Sequence, residues 1–412
     1  MNDRSIDPTD PDLTIGDRIR YHRERRGMSR QALGELIGRN GRWVKAVERG
    51  EIQDVKLPRL LDLAEVLRLQ DVADLAGTRP VPMSMFRGPG HPALVRVRDA
   101  INSVAIGRTD SPPSLDYLEL RLRAAWQARH AAPDHRTVLG RRLPDLIQDA
   151  KAAVRGHQGA DRRRALALLA GTYNLTQFYV AYQPSADLLW RVVERSLMAA
   201  EESEDPRAIG GAVWLAAQAH RDAGDLDAAE AVNREGLELI APHVEGADDD
   251  LLAMWGALHH EVAYTAARAK QPGVAWGWWD RADEIAQRLP ADHYDLMTSF
   301  SRAIMPAHAV TVAVELRHGG EARRQARRAA KSPIPSQPRR GRHEIEVARA
   351  YRLAGDQEQA LAMLKRAQGT APETIRYNGH ARRMLAELVT EGPAGMRPAA
   401  RDLADRVGVL VR

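Results

Sequence analysis

Hydrophobic residues recur every three or four positions along most of the chain, a spacing typical of amphipathic helices. Between residues 13 and 77 the periodic segments are short. Gly27, Gly38 and Gly50 interrupt them, and Pro58 begins a further one. From residue 115 onward the segments are longer and follow one another as pairs with short turns between them. The pattern predicts an all-α protein in which four or five short helices precede a long array of helix pairs.

The second and third short segments have the layout of a helix-turn-helix. Ser29 is a good N-cap for the second helix, and Asn40 can cap a third helix that runs from Gly41 to Arg49. Gly38 lies in the turn between these two helices. Two short helices joined by a tight turn that contains glycine can place the second one in the major groove of DNA.

The segment SRQALGELIGRNGRWVKAVERGEI, residues 29–52, resembles the phage-repressor-like, xenobiotic-response-element class of bacterial DNA-binding domains. The matching features are the spacing of Leu33 and Leu36, the glycine of the turn, and the Val-Glu-Arg-Gly sequence that ends at Gly50. The resemblance implies a phosphate contact by Arg30 and a guanine contact by Arg42. The DNA-contacting residues that it implies are Arg30, Arg39, Asn40, Gly41, Arg42, Trp43, Lys45, Ala46 and Arg49.

Some of these positions keep a second interpretation. Gly41 departs from the family, in which a long amide side chain is common, so one position of base recognition can be silent. The alternative for Arg39 and Arg42 is that both are solvated surface charges. The alternative for Trp43 is packing at a dimer or domain contact.

Charge supports DNA binding by this segment. Residues 13–60 contain twelve Lys or Arg residues against six Asp or Glu residues, and the net charge of the whole chain is +5. All but six of the 60 basic residues are arginine, which binds phosphate and carboxylate through two parallel hydrogen bonds. Positive charge beside the third helix would neutralise DNA phosphates and release counterions.

Proline and glycine divide the chain into four predicted parts. Residues 1–12 predict a disordered tail, and residues 13–77 the helix-turn-helix domain. Residues 78–114 contain many prolines and glycines together with one short amphipathic piece, and they predict a linker. Residues 115–412 predict a domain of helical repeats.

The long C-terminal part resembles degenerate tetratricopeptide repeats. Residues 212–242 contain the small residues and the glycine-aspartate turn of such a repeat. A register mark at the start of the second helix of each pair falls at Leu189, Ala229, Ala275, Ala322 and Ala360. Seven residues later a small residue follows each mark: Ser196, Gly236, Ala282, Ala329 and Ala367. The resemblance implies a right-handed α-solenoid whose inner face consists of the first helices.

This register predicts which side chains face inward. Aromatic rings beside amide and guanidinium groups can bind a peptide backbone or a carboxylate. Asn174 corresponds to the asparagines that peptide-sensing relatives use for backbone contacts. The alternative for Trp214 and Tyr264 is a place in the core between helix pairs. The predicted effector-binding residues are Asn174, Phe178, Tyr182, Trp214, Gln218, Arg221, His260, Tyr264, Arg268 and Arg349.

Several other functions are excluded or disfavoured by the sequence. The chain contains no cysteine, which excludes disulfides and thiolate metal sites and is compatible with the cytoplasm. No Walker phosphate loop is present, and the segment His259 to Tyr264 lacks the second histidine of a zinc-protease motif. Residues 165–186 are uncharged but contain polar side chains, so they predict a buried helix rather than a membrane span. We therefore expect no enzyme, no cofactor, no metal and no membrane partner.

The complete layout resembles a large class of actinobacterial regulators and is similar in architecture to peptide-pheromone-responsive regulators. The resemblance implies a homodimer that binds double-stranded DNA at an inverted-repeat operator. It also implies a repeat domain that binds a small effector, either a peptide or an anionic metabolite. The prediction is a cytoplasmic transcription regulator. The alternative is an interaction scaffold or an antitoxin-like protein whose repeats bind a partner protein and whose N-terminal domain attaches it to DNA.

Overall fold

The computed structural model describes residues 13–52, 55, 57–69, 71–77, 90–104, 106, 107, 110–330 and 332–409. The tail predicted at residues 1–12 lies outside the described residues, as does the interval 78–89 of the predicted linker. Within the described part, the regular elements are 21 α-helices and two short 3-10 helices, Ala241–His243 and Arg302–Ile304. The all-α prediction is confirmed. No helix of this part combines the length and the apolar character needed to cross a bilayer.

The first five helices form a small N-terminal unit, the head. Ser29 caps α2 by accepting a hydrogen bond from the Ala32 amide at 3.0 Å. Asn40 caps α3 in the same way, with 2.9 Å between its Oδ1 and the Trp43 amide. Both capping residues are those that the sequence indicates. The head helices are α1 (Ile15–Arg25), α2 (Arg30–Leu36), α3 (Gly41–Glu48), α4 (Leu57–Val66) and α5 (Ala73–Ala76).

Helix α6 (Leu94–Asn102) lies within the interval for which the sequence predicts a linker. One face of this helix is buried in the hydrophobic core at the start of the helical array, through Leu94, Val97 and Ile101. Leu94 and Val97 are three residues apart and Ile101 follows four residues later, so all three lie on one face of the helix. This face belongs to the amphipathic piece that the sequence shows.

The remaining helices form an array of antiparallel pairs. Five pairs follow α7 and α8, and three shorter helices end the array. The helices are α7 (Leu115–Ala131), α8 (His135–Gly156), α9 (Gly159–Val180), α10 (Ala186–Ser203), α11 (Pro206–Asp222), α12 (Leu226–Ile240), α13 (Asp249–Arg268), α14 (Pro272–Arg288), α15 (Met305–Glu315), α16 (Gly319–Ala329), α17 (Gln337–Leu353), α18 (Gln357–Thr370), α19 (Pro372–Tyr377), α20 (Gly379–Thr390) and α21 (Arg397–Val407).

The two helices of each pair occupy different layers of the array. The first helices, α9, α11, α13, α15 and α17, contact one another in series, and each also packs against the second helix of its own pair. All of the sequence register marks lie on the second helices, α10, α12, α14, α16 and α18. The small residue seven positions after each mark is buried, which allows close packing of the helices.

The array curves so that its C-terminal helices contact its N-terminal helices. Helix α17 packs against α7, although more than 200 residues separate them along the chain. The Gln337 side chain donates to the Ala131 carbonyl at 2.8 Å. The His130 Nε2 donates to the Leu296 carbonyl at 2.5 Å, so the Nδ1 of the neutral ring accepts from the Ser336 hydroxyl at 2.7 Å. The inner helices consequently surround a central space.

Glu373 forms the second closing contact. Its carboxylate accepts hydrogen bonds from the Arg136 and Thr137 amides, at 2.5 and 3.2 Å, in the first turn of α8. It also accepts from the Thr137 hydroxyl at 2.6 Å, and the His91 Nε2 is 3.5 Å away. Burial raises the pKa of this carboxyl, but the hydrogen bonds from His91 and Thr137 outweigh burial and hold the pKa at about 2. A carboxylate at a helix N-terminus also interacts favourably with the helix dipole.

We expect Glu373→Gln to lower the free energy of unfolding by about 1–3 kcal/mol at neutral pH, because the charge-assisted hydrogen bonds across the closure are lost. A carboxyl whose pKa is lowered in the folded state contributes stability above its unfolded pKa of about 4.3. The contribution disappears as pH falls from there toward 2. Urea unfolding followed by circular dichroism should therefore show that the free energies of unfolding of the wild type and the Glu373→Gln variant converge as pH falls through this range. Glu358→Gln, an exposed position on α18, is the control; an equal loss there would contradict a special role for Glu373.

Candidate DNA-binding surface and central cavity

Helix α3 presents its polar face to solvent. Val44 and Val47 are buried in the core of the head, whereas Arg42, Lys45 and Arg49 are exposed. The apolar residues are three positions apart, which leaves the opposite side of this short helix free. Three cationic side chains on one exposed helix are suited to DNA phosphates and base edges.

A buried carboxylate holds α3 against the head. Glu48 forms a bidentate ion pair with Arg23 of α1, with N–O distances of 2.5 and 3.1 Å. The Nε of Arg30 on α2 lies 2.6 Å from the same carboxylate, and the Arg30 side chain is 41% exposed. The expected phosphate-contacting arginine is thus tied to Glu48 and keeps part of its guanidinium surface accessible. The sequence analysis missed the role of Glu48, since a partner 25 positions away leaves no local signal.

Gln31 explains why a glycine begins α3. Its Oε1 accepts a hydrogen bond from the Gly41 amide at 3.2 Å. A Cβ at position 41 would lie 2.7 Å from that oxygen and 3.1 Å from the Gln31 backbone. A larger residue at position 41 would therefore require a shift of α2. Gln31 is exposed beside the N-terminus of α3, and the sequence analysis did not select it.

The other residues of the predicted DNA-contacting set lie around the same helix. The guanidinium carbon of Arg39 is 5.9 Å from the Trp43 ring centroid. Trp43 packs partly against the core of the head, and Ala46 is half-buried. Asn40 is exposed but uses its side chain to cap α3.

A cavity of about 780 Å³ occupies the centre of the helical array. The inner helices form most of its wall, and residues of α2, of the turn before α3 and of α4 also line it, among them Glu35, Gly38 and Glu65. Nine of the ten predicted effector-binding residues line this cavity: Phe178, Tyr182, Trp214, Gln218, Arg221, His260, Tyr264, Arg268 and Arg349.

Asn174 is the exception, because its side chain packs between helices. Its Oδ1 accepts from the Ser196 hydroxyl at 2.6 Å, and its Nδ2 is 3.4 Å from the Met297 sulfur. The residue is 1% exposed and does not line the cavity. The sequence register correctly assigns Asn174 to an inner helix, α9. The Asn174 side chain, however, lies on the side of α9 that faces α10.

One part of the cavity wall carries charges that neutralise one another. Arg349 binds Glu315 and Glu346, each at 2.7 Å, and Arg268 lies 3.6 Å from Glu315. Burial raises the pKa of Glu315, but Arg349 and Arg268 outweigh it and hold the pKa at about 2. Arg221 forms an ion pair with the neighbouring Glu261 and stacks on the Tyr264 ring.

Other arginines also line the cavity wall, among them Arg129, Arg136 and Arg339. The sequence analysis did not select them for the effector site. Arg129 and Arg136 are each 5% exposed, and Arg339 is partly buried. Burial, with a smaller effect of nearby arginines, lowers the pKa values of His130 and His260 to about 3, so these histidines are neutral at physiological pH.

Residues 14–76 match the family model of a helix-turn-helix domain. The head is a helix-turn-helix domain. The match covers the head alone, and no curated protein matches the chain at a significant level. One similar solved structure is BtubC (BKLC) from P. vanneervenii, with 16% identity over 61% of this chain and 90% of the other, at a TM-score of 0.38. Among the described residues, no group of His, Asp or Glu is arranged to hold a metal ion.

The helix-turn-helix domain docks on the array through arginines. Arg383 of α20 lies 2.7 Å from Glu65 and 3.3 Å from Asp62, both on α4. Arg59 of α4 in turn lies 3.4 Å from Glu387 of α20. These ion pairs hold α4, which leaves the exposed face of α3 free.

A further contact joins the turn of the helix-turn-helix to the array. Arg317 donates to the Glu35 carbonyl at 2.5 Å. A Cβ at position 38 would lie 2.8 Å from the Arg317 guanidinium, and Gly38 has a φ of +78°. The left-handed turn therefore favours glycine, and a larger residue would also displace the end of the docked Arg317 side chain.

We expect Glu48→Ala to destabilise the helix-turn-helix domain by about 3–5 kcal/mol, since it leaves Arg23 buried without its carboxylate. Amide hydrogen exchange of α1 and α3 measures this loss locally. Glu51→Ala is the matched control, because Glu51 is exposed and lies 4.0 Å from Arg49. It should change stability by less than about 1 kcal/mol. Equal exchange in both variants would contradict the supporting role of Glu48.

Arg383→Ala should loosen the docked domain, because Asp62 and Glu65 lose a shared cation. We expect amide exchange in α4 to accelerate on the order of tenfold, from the loss of about 1–3 kcal/mol. The control is Arg406→Ala, which removes an exposed pair with Asp402 on α21. Unchanged exchange in α4 of the Arg383 variant would show that the ion pairs do not hold the domain.

Proposed function

We propose that this protein is a homodimeric transcription regulator that binds a specific operator sequence and whose DNA binding is controlled by a small effector in the central cavity. The observation that carries the proposal is the exposed cationic face of α3. Arg42, Lys45 and Arg49 are exposed together, while the docking contacts use α4 and the turn before α3. A docked domain can therefore still present this helix to DNA.

The shared wall of the cavity supports control by an effector. Glu35, Gly38 and Glu65 of the helix-turn-helix domain line the same space as Trp214 and Tyr264 of the array. A ligand in this space would contact both parts of the molecule. It would shift the orientation of the domain by as much as its affinity differs between two orientations.

Two copies of the chain are proposed because one α3 reads only one half-site. An inverted-repeat operator presents two half-sites related by a two-fold axis, and a symmetric dimer matches this arrangement. The distance between the two α3 helices would then set the spacing of the half-sites. Any change in domain orientation would alter that spacing.

The shape of the array favours a small effector over a scaffold for a partner protein. The contacts between α7 and α17 join the early and late helices of the array, and the cavity of about 780 Å³ between them has the size of a small-molecule site. An extended partner protein would need an open inner groove.

The test is Arg42→Ala combined with Lys45→Ala. An operator is first selected from sheared chromosomal DNA with the wild-type protein. We expect the variant to bind the selected fragment on the order of 10- to 1000-fold more weakly, because it loses a base contact and a phosphate contact. The plot of log K against log salt concentration should become less steep by about 1–2.

Arg141→Ala with Arg142→Ala is the control for charge, since it removes two exposed cations from α8. It should leave both the affinity and the salt slope close to wild type. If the α3 variant bound the fragment as tightly as this control, α3 would not be the DNA-reading helix. Failure of the wild type to enrich any fragment over random duplex would overturn the regulator proposal itself.

A further inference from the structure

Six arginines in the wall of the cavity form no ion pair among the described residues. Arg26 and Arg68 belong to the head and Arg317 donates to it, whereas the other three lie within the array: Arg129, Arg136 and Arg339. Arg136 donates to the Phe178 and Tyr179 carbonyls, and Arg339 donates to the Thr298 carbonyl at 2.5 Å. The Nε atoms of Arg129 and Arg136 are buried and have no hydrogen-bond partner. Charged groups withdrawn from water in this way need a compensating charge.

Arg129 and Arg339 lie beside one pair of aromatic rings, and Arg136 binds the backbone next to them while its guanidinium lies over the Tyr377 ring. The guanidinium carbon of Arg129 is 4.1 Å from the Phe178 ring centroid, and Arg136 donates to the carbonyl of the same residue at 3.0 Å. The guanidinium carbon of Arg339 is 6.0 Å from the Trp214 ring centroid. The two ring centroids are 6.1 Å apart. The arginines therefore form a single cluster.

The positive charge of this cluster is not balanced from within. Burial lowers the pKa of Arg129 to about 9, and the charges of Arg339 and Arg136 contribute to the shift. A pKa of 9 still leaves the group charged at neutral pH. The neighbouring His130 is neutral there, and it uses both ring nitrogens for the Leu296 and Ser336 contacts. The Glu373 carboxylate, which accepts from the Arg136 amide, offsets part of the effect of burial on the pKa of Arg136. Among the described residues it forms no ion pair with the three guanidinium groups, so three cations stand beside this one carboxylate.

We infer that Arg129, Arg136 and Arg339 bind a compact group with two or more negative charges, the phosphate or diphosphate of a small molecule. This inference rests on the proposed effector cavity and names the chemical class of its ligand. Guanidinium groups match phosphate oxygens through paired hydrogen bonds, and three of them suit a multivalent anion better than a single carboxylate. The Phe178 and Trp214 rings offer adjacent apolar surface for the rest of the molecule.

The location of the cluster adds a consequence. Arg129 lies on α7 and Arg136 on α8, whereas Arg339 lies on α17 at the other side of the closure. A phosphate group bound to all three arginines would reduce the electrostatic repulsion between them. It would also connect α7 and α8 with α17. Binding should therefore stabilise the closed array, and it should slow amide exchange at the end of α7 and at the beginning of α17.

The test is titration calorimetry on the full chain in buffer free of phosphate, with inorganic diphosphate and inorganic phosphate as probes. We expect one diphosphate per chain, bound more tightly than phosphate. Arg129→Gln with Arg339→Gln should weaken binding on the order of 100-fold, since two charge-assisted contacts are lost. Arg327→Gln with Arg328→Gln, which removes two exposed cations from α16, should leave the affinity unchanged.

Hydrogen exchange of the wild type with saturating diphosphate keeps the test independent of how well the variants fold. Slower exchange at the ends of α7 and α17 supports the site. Absence of binding at millimolar diphosphate, equal weakening by the surface variant, or a preference for a tricarboxylate such as citrate would overturn it. None of these measurements uses DNA, so a failure here is distinct from a failure of operator binding.

Discussion

Closure of the helical array is the constraint on which the rest of the structure depends. Glu373 satisfies the free amides at the start of α8, and α17 packs on α7, so an array that could have remained an open superhelix encloses its inner face. Closure turns the concave surface into a cavity with a polar wall. It also withdraws Arg129 and Arg136 from water, and the anion site proposed above rests on this burial.

The helix-turn-helix domain completes this enclosure. Its α4 and the turn before α3 lie against the array, where Arg383 and Arg317 hold them, and its residues form part of the cavity wall. A ligand that filled the space would therefore meet the DNA-binding domain without passing through a long chain of intermediate contacts. Coupling of this kind needs only two orientations of one small domain, with different contacts to the ligand in each.

The sequence predicted best what depends on short-range chemistry. Ser29 and Asn40 cap helices, and Gly38 permits a left-handed turn, all through contacts within a few residues. The helix pairs followed from periodicity, and the resemblance to tetratricopeptide repeats implied the inner layer of first helices. Periodicity could not show that Glu373 meets Arg136, 237 positions away, or that Glu48 holds α3. Asn174 failed as a cavity residue because it faces the second helix of its own pair.

Arginine serves two physically different purposes in this chain, and burial separates them. On α3 the guanidinium of Arg42 is exposed, so its attraction to phosphate is screened by salt and acts over about a Debye length. Around Phe178 the guanidinium groups are withdrawn from water, so dissolved salt screens their charges far less. A small anion would displace little water in binding to them. For the proposed regulator, raising the ionic strength would therefore weaken DNA binding well before it released an anion from the cavity. The two sites can respond to different signals although the same side chain dominates both.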